Sequence, residues 1–226
     1  MIYLLDTRFL NLENKELYKD LPTERIDKIN RLMFEEDKKL SLGAGLLLNF
    51  AVKDYCEKRG LNCPVFPLDI IKTEYGKPLL KVNAFDFNVS HSGIHVVCVV
   101  SEYSVGVDIQ RLDNSPTDIH EKVMCEKETT IFGNDRESVL KVFCIKEAIL
   151  KKTGVGLVHG LKNIELTCEN NNIFSNKAIL TPLNDDGVYS VEGLIETIFT
   201  INGKEKISVS TAFLEDKDGV YLIAQC

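Results

Sequence analysis

The chain has 226 residues, of which 44% are hydrophobic and 27% charged, so it can bury a sizeable core without disulfide or metal staples. A formal net charge of −7 argues against nucleic acid as the main partner, because phosphate-backbone binding needs a basic surface. No run of about 18 apolar residues occurs, so no membrane span is expected. The opening Met1-Ile2-Tyr3-Leu4-Leu5 has neither the basic start nor the cleavage site of a signal peptide and reads as the first strand, in a cytoplasmic protein. The seven cysteines form no C-x-x-C, and Cys98 lies inside an apolar run. Buried free thiols are expected, and a zinc site is not.

Residues 22 to 41 alternate basic and acidic side chains, then give way to the apolar stretch Gly43 to Val52, which continues to Lys58 and stops at Gly60. This predicts one helix followed by a buried one, with Gly60 as C-terminal cap. Tyr75-Gly76-Lys77-Pro78 predicts a turn. Phe85 to Ser90 alternates as a strand, Ile94 to Val100 is a β-branched buried strand, and Val105 to Ile109 returns as another, so a hairpin is expected there. Residues 111 to 134 read as loop with helical character from Asp118 to Glu128. Glu137 to Lys152 predicts a strong helix stopped at Thr153-Gly154. The remainder is strand-rich, with Asn202-Gly203 as a hairpin turn and Val220 to Ala224 as the last strand. The order is that of an α+β fold with antiparallel strands, changing character near residues 101 to 112.

Three stretches carry residues suited to chemistry. In Gly106-Val107-Asp108-Ile109-Gln110, Asp108 and Gln110 fall on one strand face, and two oxygen ligands spaced i and i+2 suit a hard cation such as Mg²⁺. A strand with one solvated face explains the same pattern. Phe143, Glu147 and Lys151 lie four apart on one helix face, where Glu147 offers a metal ligand or base and Lys151 a charge for phosphate. A surface ion pair explains these equally. Asn88-Val89-Ser90-His91-Ser92-Gly93 gathers small donors at a strand end, either a phosphate-binding turn or a polar one.

In company these stretches say more than each does singly. Asn88-Val89-Ser90-His91-Ser92-Gly93, then Gly106-Val107-Asp108-Ile109-Gln110, then Lys146-Glu147-Ala148-Ile149-Leu150-Lys151 resemble the 4′-phosphopantetheinyl transferases of the surfactin-synthetase-activating (Sfp) type. Glu74-Tyr75-Gly76-Lys77-Pro78 and Glu36-Asp37, upstream of Gly43-Ala44-Gly45, extend the likeness from about residue 20 to residue 165.

The resemblance implies two similar α+β halves packed as a pseudo-dimer with the active site in the cleft between them. The halves are residues 1–104, holding coenzyme A phosphate and adenine contacts, and 105–226, holding the metal site and catalytic helix. It implies transfer of phosphopantetheine from coenzyme A to a serine of an apo acyl or peptidyl carrier protein, with Mg²⁺ as cofactor and 3′,5′-adenosine bisphosphate as the other product. Asp108 and Glu147 would bind the metal, with Glu147 as base and Lys151 neutralising the pyrophosphate. Lys77, Ser90, His91, Arg25, Lys28, Ser41 and Lys151 would contact coenzyme A. Gln110 stands where the family has a third acid, and Phe143 where it commonly has tryptophan. A monomer serving secondary metabolism is expected. A non-catalytic relative, or an unrelated Mg²⁺-dependent phosphotransferase, is the competing reading; no P-loop or G-x-G-x-x-G supports the latter.

Overall fold

A computed structural model of the chain describes residues 1–81, 85–113, 119–156, 160–168 and 173–226. The first strand, β1 (Ile2–Asp6), leads to α1 (Thr23–Arg31) and α2 (Glu35–Arg59). Three acids in the first turn of α2 suit the positive end of its dipole, and Gly60 closes it in the left-handed region at φ 63°. Short β2 (Ile70–Lys72) and β3 (Pro78–Leu80) flank the expected turn, where Thr73 N–H donates to the Lys77 carbonyl at 2.9 Å. Then come β4 (Asp86–Ser92), β5 (His95–Ser101) and β6 (Val107–Arg111). The helices α3 (His120–Val123), α4 (Glu126–Phe132) and α5 (Arg136–Thr153) follow. Asp135 caps α5 by accepting from Ser138 N–H, and Gly154 ends it at φ 74°. The chain closes with β7 (Leu166–Cys168), β8 (Ile179–Pro182), β9 (Val188–Glu192), β10 (Ile195–Ile201), β11 (Glu205–Asp216) and β12 (Gly219–Gln225). Asn202 and Gly203 both take positive φ at the β10–β11 turn, as the dipeptide predicts.

Ten strands form two five-stranded sheets, ordered β4-β5-β1-β9-β8 and β6-β12-β11-β10-β7, with antiparallel pairing between β4, β5, β1 and β9 and throughout the second sheet. The mixture of helices and antiparallel sheets is the expected α+β class. The chain divides into two compact units, Met1–Val105 with Leu180–Val191, and Gly106–Ile179 with Glu192–Cys226. In the first, α2 covers its sheet, and Leu42, Leu47, Ala51 and Val52 are fully buried in a core shared with Tyr3, Leu5 and Val96. Burying each such leucine contributes roughly 1.5–3 kcal/mol. In the second, α5 plays the same part, with Val142, Ile145 and Ala148 packed on Phe199, Val209 and Leu222.

Four expectations need correction. The β5 and β6 strands do not form a hairpin: β5 pairs with β4 and β1, whereas β6 is the edge strand beside β12. Val105 closes the first unit and Gly106 opens the second, so the link between these strands passes from one unit to the other. The segment from 180 to 191 belongs to the first unit rather than with the C-terminal half, because β9 pairs with β1. Ser90 lies in β4 as read, but the strand runs on through His91 and Ser92, and the turn falls only at Gly93 and Ile94. The helix expected over 118–128 is two helices, broken at Met124 and Cys125; Asp118 lies outside the described residues. All seven cysteines are free as expected, but Cys63 is exposed.

Candidate active site

Asp108 is 1% exposed at the second position of β6. The register pairs Asp108 with Ala224 and Gln110 with Leu222, and both partners belong to the core under α5. The Asp108–Gln110 face of the strand is therefore the one that α5 covers. Val107 and Ile109 on the opposite face are also fully buried, so β6 has no solvated side.

The close approach of α5 has an identifiable cause. A Cβ on Gly106 would lie 2.0 Å from the Ala148 carbonyl oxygen and 2.5 Å from the Lys152 amide nitrogen. Only glycine lets the helix backbone come this near. Cys144 fastens the contact, its thiol lying 3.6 Å from the Asp108 carbonyl oxygen and 3.6 Å from that of Leu222. Lys151 then reaches Asp108 Oδ1, and Gln110 Nε2 donates to Asp108 Oδ2 at 2.8 Å.

Glu147, one turn before Lys151, is half-buried. Its Oε1 is buried and accepts no hydrogen bond. Burial, and then the charge of Asp108, push its carboxyl above the usual carboxylate range, while Lys151 pulls it back. Two carboxylates and one ammonium therefore meet here. A hard divalent cation fits this set: Asp108 and Glu147 supply carboxylate oxygens, one of them now unpaired, and Mg²⁺ is commonly held by one or two carboxylates plus a substrate's phosphates. Gln110 sits beside the cluster, but its amide nitrogen is what faces Asp108.

The structure brings together Asp108, Gln110, Glu147 and Lys151 in the second unit. In the first, Arg25 and Ser41 meet where Arg25 Nη1 donates to the Ser41 carbonyl at 3.1 Å. Burial pushes the Arg25 guanidinium down, and among the described residues no carboxylate pairs with it. The Ser41 hydroxyl is buried without a hydrogen-bond partner, and Lys28 is exposed one turn along α1. Lys77 is placed differently. Its side chain is 7% accessible and its ammonium donates to Asp86 at 2.6 Å and to the Val105 carbonyl at 3.2 Å. Ser90 is buried and His91 exposed on opposite faces of β4. Phe143 is half-buried against the core beneath α5.

The sequence reading gives no role of their own to Gly106, Lys146 and Glu128, which fix the contacts of α5. Gly106 carries a signal, an isolated glycine next to a strand pattern. Lys146 also carries one, a charge at a core-stripe position four residues from both Val142 and Leu150. Glu128 carries a fainter one, standing three residues after Cys125 in the spacing of a capping box.

The α+β fold agrees with the comparisons. A family model described as the N-terminal part of 4′-phosphopantetheinyl transferase matches residues 12–103, and one described as the 4′-phosphopantetheinyl transferase superfamily matches residues 104–207. The chain belongs to the 4′-phosphopantetheinyl transferase superfamily. A 4′-phosphopantetheinyl transferase of Bacillus subtilis is 25% identical over 222 residues, covering 95% of this chain and 85% of the relative. The 4′-phosphopantetheinyl transferase gsp of Aneurinibacillus migulanus is 33% identical over 102 residues, a match covering 43% of this chain and less than half, 43%, of that relative's length. The transferase named Sfp of Bacillus subtilis strain 168 is 24% identical over 151 residues, 64% of this chain and 65% of the relative. Within the superfamily the chain is of the Sfp type. No described helix is long and apolar enough to cross a membrane.

Proposed function

We propose that this protein transfers the 4′-phosphopantetheine group of coenzyme A to a serine of an apo acyl or peptidyl carrier protein, with Mg²⁺ as cofactor. The observation that carries the reading is the buried Asp108–Lys151–Glu147 cluster, whose Glu147 Oε1 has no partner. Asp108 and Glu147 would hold Mg²⁺, which when bound withdraws charge from the pyrophosphate and aligns it for displacement. Glu147 takes the proton of the attacking serine, its raised carboxyl being nearer the operating pH than an ordinary glutamate. The serine oxygen bonds to phosphorus, the bridging P–O bond breaks, and 3′,5′-adenosine bisphosphate leaves with the electron pair. The Lys151 ammonium, now on Asp108, is the cation at hand for that pyrophosphate. Arg25, with no carboxylate partner, the Ser41 hydroxyl and Lys28 are the groups proposed for the nucleotide phosphates. Lys77, Ser90 and His91 belong to the same proposal, although Lys77 must first release Asp86. The reading takes the protein as a cytoplasmic monomer acting on carriers of secondary metabolism.

The test is incubation with Mg²⁺, coenzyme A and a panel of apo carriers from fatty-acid, polyketide and non-ribosomal peptide systems, followed by intact mass. A gain of one phosphopantetheine on a carrier is expected. No gain on any carrier from a folded protein sinks the reading.

Gln110 sets a second test. Placing an acid there adds a charged oxygen to the proposed metal site. Gln110→Glu should lower the Mg²⁺ concentration giving half-maximal rate, and tighten Mg²⁺ binding by calorimetry. An unchanged Mg²⁺ dependence in both measurements excludes this position from the metal's surroundings.

A further inference from the structure

Lys146 and Glu128 are both fully buried, form an ion pair at 2.8 Å, and take no part in the chemistry proposed above. The Lys146 ammonium has three donors and three acceptors: the Glu128 carboxylate on α4 at 2.8 Å, the Val123 carbonyl at the end of α3 at 2.7 Å, and the Leu161 carbonyl at 3.0 Å. Glu128 also accepts from Cys125 N–H and from Leu166 N–H at the start of β7, each at 2.9 Å. One knot thus joins α3, α4, α5, β7 and the turn at Leu161.

An ion pair is a costly way to fill this place. Its neighbours on the α5 core stripe, Val142, Ile149 and Leu150, are apolar and buried, and an apolar pair at 146 and 128 would avoid the desolvation cost. What apolar contact lacks is direction. Methyl groups tolerate a small slide or rotation of a helix, whereas three hydrogen bonds from one ammonium fix both. Lys146 immediately precedes Glu147, about 100° further round the helix. Holding Lys146 from α3, α4 and Leu161 sets the angle at which Glu147 and Lys151 meet Asp108. A misplacement of about 1 Å in such a constellation costs on the order of 100-fold in rate.

We infer that Lys146 and Glu128 are positioning residues for the transfer step, fixing the rotation of α5 so that Glu147 and Lys151 face Asp108. This inference rests on the proposed transferase reading. The test is the double variant Lys146→Met/Glu128→Leu, compared with the wild type in thermal unfolding, in Mg²⁺ binding by calorimetry, and in kcat and KM for coenzyme A. The expected result is a cooperative melt within about 5 °C of the wild type, since apolar replacement of a buried pair is often neutral or stabilising. With it, kcat should fall at least about 30-fold and Mg²⁺ binding weaken, while KM for coenzyme A moves less than about twofold. A variant that melts like the wild type and keeps its kcat overturns the inference. If the double variant does not fold, Glu128→Gln keeps the shape and removes the charge; a folded Glu128→Gln protein should lose about fivefold or more in kcat, and wild-type kcat there overturns the inference equally. Should the wild type transfer to no carrier, the transferase reading fails by itself. Mg²⁺ affinity then decides on positioning: weaker binding in the double variant supports it, and equal binding overturns it.

Discussion

Glu147→Gln should lower phosphopantetheine transfer by on the order of 1000-fold while leaving the metal-free protein at least as stable as the wild type. The two halves of this expectation come from one set of forces. Burial and the Asp108 charge raise the Glu147 carboxyl, so in the fold its charged form is disfavoured. A carboxyl whose folded pKa lies above its unfolded value contributes stability below the unfolded value and loses it as pH rises through the folded one. At neutral pH the metal-free wild type therefore carries a penalty that glutamine removes. The melting temperature of Glu147→Gln should equal or exceed that of the wild type at pH 7, and the gap should close as pH falls below the glutamate range. Adding Mg²⁺ should raise the wild-type melting temperature and leave the variant's almost unmoved. Melts across pH with and without Mg²⁺, beside intact-mass transfer assays, check each part. Full activity in Glu147→Gln refutes the proposal that it is the base.

Gly106→Val should be the most damaging substitution at a residue that touches no substrate. A Cβ there would sit 2.0 Å from a backbone oxygen and 2.5 Å from a backbone nitrogen of α5, and no rotamer change relieves a clash with a helix backbone. The helix must shift away from β6, taking Glu147, Lys151 and the Cys144 contact with it. Overpacking of this kind costs about 1–3 kcal/mol or more, and the displaced constellation should lose at least about 100-fold in kcat. Gly60→Ala is the control. Gly60 has positive φ but nothing within 4 Å of an added Cβ, so it should cost about 1 kcal/mol and leave kcat unchanged. Equal kcat losses in the two variants would show that general destabilisation, not helix placement, is being read.

Local order is legible in this sequence wherever a single signal dominates. Gly60 and Gly154 mark the ends of α2 and α5, and Asn202-Gly203 marks a turn, because each needs only its own backbone conformation. The facing of Asp108 with Gln110 follows from strand alternation, and that of Glu147 with Lys151 from helical spacing. Partnering across distance is not legible. The Ile94 to Ile109 stretch reads as a hairpin because adjacent strands usually pair, yet β6 pairs with β12, more than 100 residues later. The strand read over Phe85 to Ser90 is legible, but its continuation through His91 and Ser92 is not, because polar residues before a glycine read as a turn until their pairing with Val96 and His95 is seen. The burial of Lys146 is hinted at by its core-stripe position, but its partners are not legible, because the acceptors come from three other segments.

The return of Leu180–Val191 to the first unit bears on how the chain is made. In that sheet β1 lies between β5 and β9, and Tyr3, Leu4 and Leu5 pair with Ser190, Tyr189 and Val188. A nascent chain emerging amino end first can dock β4 and β5 on β1 early. The other edge of β1 stays bare until Val188–Glu192 has left the ribosome. An open apolar edge is an invitation to foreign strands. Expression truncated before Leu180 should therefore give aggregates rather than a free amino-terminal half, and slow elongation between β5 and β9 should lengthen dependence on chaperones.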